Sequence, residues 1–134
     1  MSDAVLSGPA LTAEGVRVGY RDKVVLDDLT VHIPEGSLTM IIGPNGCGKS
    51  TLLHTFARIL TPTAGRVLLG GREVGAFGAK EFARELSLLP QSAIVPSGVR
   101  VSAMVGRGRY PYQRLLHQWS DADTRAVERA MAAT

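Results

Sequence analysis

This chain of 134 residues has little cysteine, no long apolar run and little net charge, and each of these shortages excludes a class of protein. Cys47 is the single cysteine, so an internal disulfide is excluded and a reducing compartment is expected. No apolar run approaches the roughly 20 residues of a membrane span. Residues 1–15 lack the basic start and apolar stretch of a secretion signal. The net charge of +3 is too small to indicate a nucleic acid partner, and none is expected.

The first two thirds of the chain read mainly as strands. Its length and its apolar content of 45% fit one globular domain. Alternating apolar residues predict a strand over 11–20, with a slip at Gly15, and a second over 24–33. Two short apolar runs, 38–42 and 86–91, predict buried strands.

Helical spacing begins in the middle of the chain and predominates at its end. It predicts helices over 49–60, 79–86 and 101–105, and a last helix that starts at Ser120. Between the first two helices, residues 66–74 predict a hairpin that turns at two glycines. This order predicts an α/β core followed by the start of a helical subdomain.

The most specific motif is "GPNGCGKS", which fits the pattern G-x-x-x-x-G-K-S/T of a phosphate-binding loop. The glycines allow successive N–H groups to point inward as an anion nest, and the helix that follows adds its positive N-terminus. The lysine reaches the β- and γ-phosphates, and the serine hydroxyl ligates Mg²⁺. The predicted nucleotide-binding residues of this loop are Gly43, Pro44, Asn45, Gly46, Cys47, Gly48, Lys49, Ser50 and Thr51.

Two residues outside the loop have both a structural and a functional interpretation. Tyr20 is either an ordinary aromatic at a strand end or a ring on which adenine stacks. Gln91 is either a solvated strand end or a side chain at the carboxyl edge of the sheet, where ligands of α/β proteins bind. Spacing alone leaves both pairs of alternatives open.

The motifs together resemble the ATP-binding subunit of an ABC transporter. "GPNGCGKSTLL" has the form that the phosphate loop takes in that family, and "VGYRDKVVLDDLTVHIPEG", "TPTAGRVLLGG" and "LLPQ" resemble the segments around it. The resemblance implies an α/β fold, a P-loop NTPase core with an antiparallel β subdomain, truncated within the helical subdomain. Residues 1–91 would form the ATP-binding core and residues 92–134 the start of the helical subdomain.

The resemblance also implies roles for individual residues. Tyr20 would stack on adenine. Lys49 and Gln91 would be catalytic, and Ser50 and Gln91 would contact Mg²⁺, with ATP and Mg²⁺ as the cofactors. "GRGRYPYQ", residues 106–113, resembles the ATPases of bacterial importers for iron–siderophore complexes, haem and cobalamin.

The resemblance predicts partners as well. Transmembrane permease subunits would bind through Gln91 and residues 92–120, at the cytoplasmic face of the cell membrane. A second ATPase subunit would pair head to tail. Arg100, Arg107, Arg109 and Arg114 form either a docking face for the membrane subunit or an ordinary solvated surface.

Three motifs of that family are missing from these 134 residues: the LSGGQ-type signature, the strand that ends in Asp-Glu (Walker B) and the switch histidine. We therefore expect this chain alone to bind ATP·Mg²⁺ but to be inactive in hydrolysis, with an open sheet edge and marginal stability. The resemblance implies that the intact protein hydrolyses ATP to power an ABC importer for iron–siderophore or related metal chelates. The alternatives are a nucleotide-binding fragment without hydrolysis and a soluble ABC-type ATPase of DNA repair or translation. Cys47 is either a loop position that tolerates variation or a thiol near a helix N-terminus whose alkylation would block nucleotide entry.

Overall fold

The computed structural model describes residues 9–92, 98–113 and 119–133. The chain divides into two compact units, Met1–Phe77 and Gly78–Thr134. The expected functional boundary after Gln91 stays a prediction.

The first unit is built on an antiparallel four-stranded sheet of order β2-β1-β3-β4. Its strands are β1 (Pro9–Tyr20), β2 (Lys23–Pro34), β3 (Ala64–Leu69) and β4 (Arg72–Glu73). Both predicted N-terminal strands and the predicted hairpin are confirmed. The slip at Gly15 is confirmed too, because its φ is +56° and the register shifts between Ala13 and Val16.

Helix α1 (Lys49–Phe56) packs against β1 and β2 and closes the core of this unit. Most of the buried apolar side chains come from these two layers: Ala13, Val16, Val18 and Val67 from the sheet, and Leu52 and Phe56 from the helix. The helix ends four residues before the predicted Leu60. Arg58 adopts a left-handed φ of +60°, and the Ile59 N–H donates to the His54 carbonyl, which is a Schellman-type stop.

The second unit is helical where it is described. It contains α2 (Ala79–Glu85), α3 (Val101–Gly106), a 3₁₀ turn (Arg107–Tyr112) and α4 (Asp121–Ala132). The three predicted helices of this region are confirmed. The capping box at the start of α4 is confirmed as well, since the Ser120 hydroxyl accepts from the Asp123 N–H at 3.3 Å.

Two predicted strands are wrong. Segments 38–42 and 86–91 are not strands in this structure, and no described strand pairs with either of them. Leu38 is 95% exposed, Ile42 is 84% exposed and Leu89 is 91% exposed. A buried strand requires neighbours along its edges and layers on its faces, and the described part of the chain provides neither to these segments.

No helix in the described ranges is long and apolar enough to cross a membrane.

Candidate functional site

The loop between segment 38–42 and α1 forms a tight turn that leads into the helix. The Cys47 N–H donates to the Pro44 carbonyl at 3.4 Å, and the Gly48 carbonyl accepts the first helical hydrogen bond, from Leu52, at 2.9 Å. Gly46 and Gly48 have φ values of +83° and +98°. Residues with side chains rarely adopt these left-handed values, so the two glycines allow the loop to curl over the helix start.

Gly48 is required by a close approach as well as by its φ. A Cβ atom added there would lie 2.5 Å from Leu26 Cδ2 and 3.2 Å from Val25 Cγ1. Strand β2 therefore packs directly against the start of α1. A Cβ atom at Gly46 would meet nothing within 4 Å, so Gly46 is needed for its backbone conformation alone.

The Lys49 ammonium lies over the loop. It donates to the carbonyls of Gly43 at 2.8 Å and Pro44 at 2.7 Å, and it lies 3.7 Å from Cys47 Sγ. No carboxylate pairs with it among residues 9–92, 98–113 and 119–133. Its three N–H groups are therefore available to exchange neutral carbonyls for the charged oxygens of a phosphate.

The first turn of α1 favours an anion. It contains no acidic residue and has no side-chain cap, so the N–H groups of Lys49, Ser50 and Thr51 have no intrahelical partner. The Ser50 side chain is exposed, as a metal-binding hydroxyl requires, whereas the Thr51 side chain is only 5% exposed. Thr51 is thus buried at the start of α1, and its contact with a phosphate stays a prediction.

Tyr20 lies in the hairpin that contacts this loop. It ends β1 opposite Lys23, and two residues earlier Val18 pairs with Leu26, whose side chain meets Gly48. Tyr20 is 47% exposed, so part of its surface is accessible to a ligand. The structure thus brings Tyr20 and the phosphate loop into one unit, while its stacking role stays a prediction.

Comparison with known proteins decides the family, since a profile described as ABC transporter matches residues 26–133. The chain belongs to the ABC transporter family. It is 50% identical over 125 residues to the probable siderophore transport system ATP-binding protein YusV of Bacillus subtilis, across 93% of this chain and 46% of that protein. It is 48% identical to the ferric enterobactin transport ATP-binding protein FepC of Escherichia coli, across 92% of this chain and 46% of that protein.

Solved structures agree with this assignment to the ABC transporter family. A bacterial Atm1-family ABC exporter with ATP bound superimposes with a TM-score of 0.70 at 27% identity, over 96% of this chain and 21% of the exporter. The chain spans about half the length of the curated ABC relatives given above. The expected α/β P-loop fold with an antiparallel β subdomain is confirmed.

The loop fits the nucleotide phosphates and Mg²⁺ that the ABC family implies. Left-handed glycines, an uncapped helix start and an ammonium with no carboxylate partner among the described residues are the donor set for a polyphosphate. In the described ranges, no group of three or more His, Cys, Asp or Glu side chains offers a metal site of its own. Mg²⁺ here would depend on the Ser50 hydroxyl and on the oxygens of the nucleotide itself.

The remaining predicted residues belong to the second unit of this ABC chain. Gln91 is exposed, and its contact with Mg²⁺ stays a prediction. Arg109 does not belong to a free basic face, because its Nε donates to Asp123 Oδ1 at 2.8 Å. Arg100 and Arg107 are exposed, and Arg114 lies outside the described residues.

Sequence reasoning missed Leu26 and Val25, the two side chains that fix the helix start from the sheet. Both fall within an ordinary apolar strand, and no spacing rule separates them from their neighbours. The pairing of Arg109 with Asp123 was missed for a similar reason, because the two residues are 14 positions apart and only the fold brings them into contact.

Proposed function

We propose that this chain binds ATP·Mg²⁺ and belongs to the ATPase that powers an ABC importer for iron–siderophore complexes or related metal chelates. The arrangement of Lys49 over an uncapped helix start carries the nucleotide part of this proposal. The cargo class rests on the relatives, which are named for siderophore and ferric enterobactin transport.

In the proposed complex, the adenine stacks on the exposed ring of Tyr20. The phosphates lie against residues 43–51, where backbone N–H groups and the Lys49 ammonium neutralise their charge. The Ser50 hydroxyl would ligate Mg²⁺, which would supply positive charge to the phosphates. Gln91 would contact the ion and the γ-phosphate, and would thereby report which nucleotide is bound.

Hydrolysis and transport belong to the whole protein. Two ATPase subunits pair head to tail, each completing the other's site, at the cytoplasmic face of the cell membrane. Gln91 and residues 92–120 face the permease. A second function, nucleotide binding without hydrolysis, applies to these 134 residues alone, because the signature motif, the Asp-Glu strand and the switch histidine are absent from them.

The nucleotide proposal is tested by titrating the chain with a fluorescent ATP analogue in the presence of Mg²⁺. We expect saturable binding that ATP displaces and that AMP does not, because AMP has no β- or γ-phosphate for Lys49. Displacement by AMP as strongly as by ATP would show that the loop does not read the polyphosphate. Absence of any saturable binding would overturn the proposal.

The importer proposal is tested in the gene. Sequencing beyond the codon for Thr134 should reveal an LSGGQ-type segment, followed by a strand that ends in Asp-Glu. A stop codon at that point would leave the nucleotide-binding function and remove the claim of hydrolysis.

A further inference from the structure

Helix α2 and the 3₁₀ turn Arg107–Tyr112 are joined by cations that lie over tyrosine rings. Lys80 and Arg84 are four residues apart on α2, so their side chains project from the same face of the helix. Tyr110 and Tyr112 are two residues apart on the turn. Each cation of the helix reaches one of the two rings.

Each of these two side chains also donates a hydrogen bond to the backbone beside the ring that it faces. Lys80 Nζ lies 4.9 Å from the centroid of Tyr110 and donates to the Gln113 carbonyl at 2.8 Å. Arg84 Cζ lies 5.8 Å from the centroid of Tyr112, and its Nε donates to the Pro111 carbonyl at 3.0 Å. A cation that both faces a ring and donates to the backbone beside it fixes the distance between the helix and the turn as well as their relative orientation.

A third cation extends the connection to α4. Arg109 Cζ lies 4.0 Å from the centroid of Tyr112, and Arg109 Nε donates to Asp123 Oδ1 at 2.8 Å. Tyr112 is therefore contacted by guanidinium groups from α2 and from its own turn. We call Lys80, Arg84, Arg109, Tyr110 and Tyr112 the tyrosine clamp.

One element of the clamp, helix α2, precedes the segment that carries Gln91 along the chain. Helix α2 ends at Glu85, and Gln91 follows six residues later along a stretch with no strand pairing in this structure. Helix α2 is thus the ordered element that precedes Gln91 most closely. A movement at Gln91 that reaches α2 has a direct mechanical route to the aromatic turn through Lys80 and Arg84.

We propose that Lys80 and Arg84 are positioning residues that make α2 and the turn Arg107–Tyr112 move together, so that nucleotide sensing at Gln91 is passed to the turn. This inference rests on the proposed role of Gln91. Lys80 and Arg84 lie outside residues 43–51 of the phosphate loop, so nucleotide affinity is a separate readout of the test.

The test follows backbone hydrogen exchange by mass spectrometry in the full 134-residue chain, with ATP·Mg²⁺ as the probe. Fragments 79–91 and 107–113 report on the helix side and on the turn. The test variant is Lys80→Met with Arg84→Met, which keeps side-chain length and removes both charges. The matched control is Arg100→Met with Arg107→Met, which removes two exposed cations of the same unit that lie outside the clamp.

In the unmodified chain and the control, ATP·Mg²⁺ should slow exchange in both fragments. In the test variant, it should slow exchange in 79–91 alone, while affinity for the fluorescent ATP analogue stays unchanged. Without nucleotide, exchange in 107–113 should be about tenfold faster in the test variant. The swap of Lys80→Arg with Arg84→Lys keeps both charges and should retain most of the response, which also covers the case in which the methionine variant unfolds.

A response of 107–113 in the test variant equal to that of the unmodified chain would overturn the inference. A response confined to 79–91 in the unmodified chain would overturn it as well. If ATP binds but 79–91 does not respond, the proposed role of Gln91 fails and the transmitted signal fails with it. The nucleotide-free exchange would then still decide whether Lys80 and Arg84 hold the turn.

Discussion

Helices α1 and α4 begin in opposite ways. The N-cap of α1 is Gly48, which offers no side chain, and the first turn contains no acidic residue. The N-cap of α4 is Ser120, whose hydroxyl accepts from the Asp123 N–H while the Asp123 carboxylate accepts from the Ser120 N–H and hydroxyl. The N–H groups at the start of α4 are thus bonded by residues of the chain itself. Those at the start of α1 are left open to an external anion.

This difference separates a structural helix start from a functional one. A capped start stabilises its own helix, typically by about 1 kcal/mol. An open start forgoes that stabilisation and retains its N–H groups and its partial positive charge for a ligand. The sheet compensates at α1, because Leu26 and Val25 of β2 pack against Gly48 and hold the uncapped end in place.

The largest effect should follow the loss of the Lys49 charge at the uncapped start of α1, called the open start below. Lys49→Ala should weaken binding of the fluorescent ATP analogue about 100-fold, or ~2.7 kcal/mol, because charge-assisted hydrogen bonds to phosphate are lost. The midpoint of urea unfolding should hardly change, since the ammonium contacts only exposed atoms of the loop itself. Unchanged affinity in Lys49→Ala would show that the open helix start does not hold the phosphates.

The second prediction concerns the support of the open start. Gly48→Ala should lower the free energy of unfolding by about 2 kcal/mol, because the added methyl overlaps Leu26 and the residue has a left-handed φ. Gly46→Ala is the matched control, with a left-handed φ but open space around it. It should cost about 1 kcal/mol. Equal midpoints of urea unfolding for the two variants would contradict the close packing of β2 on the helix start.

Both helix starts could be predicted from the sequence because their signals are local. The phosphate-loop pattern and the Ser120–Asp123 spacing each lie within a few residues of the helix that they begin. The strands of the antiparallel sheet were also predictable, since β1 and β2, and β3 and β4, pair across short turns. Alternation and turn residues carry that information.

The failures concern features that depend on distant residues. The run 38–42 has the composition of a buried strand, but composition does not provide the neighbouring strands that a buried strand requires. Met40 is 74% exposed in this structure for that reason. The contact of Leu26 with Gly48 and the clamp on Tyr110 and Tyr112 likewise join segments that no local pattern connects.

The third prediction tests access to the open start. Alkylating Cys47 with N-ethylmaleimide should weaken ATP binding about tenfold, or ~1.4 kcal/mol, because the exposed thiol lies 3.7 Å from the Lys49 ammonium. A chain with Cys47→Ser, treated in the same way, should keep its affinity. Undiminished binding by the alkylated chain would show that the thiol lies outside the path of the nucleotide.

The fourth prediction tests the capped start of α4. Ser120→Ala should lower the free energy of unfolding by about 1 kcal/mol, because it removes the side-chain cap of α4. ATP affinity should stay the same, in contrast to Lys49→Ala. Ser120→Thr retains the hydroxyl and should recover most of the stability. A loss of ATP affinity in Ser120→Ala would contradict the separation of the two helix starts.

The smallest effect should appear only in acid, where the Asp123 carboxylate in the capping box of α4 is titrated. The hydrogen bond from the Ser120 side chain, followed by that from Arg109, lowers the pKa of Asp123 from 3.8 to about 2. Since the folded pKa is the lower one, the carboxylate stabilises the folded chain fully above the ordinary pKa and progressively less as the pH falls toward 2. Asp123→Asn should therefore be less stable than the unmodified chain at neutral pH, and the difference between their urea midpoints should shrink in acid. A difference that stays constant down to about pH 2 would mean that the Asp123 charge does not contribute to the cap. Lys49→Ala should show no such narrowing, because the open helix start has no carboxylate to titrate.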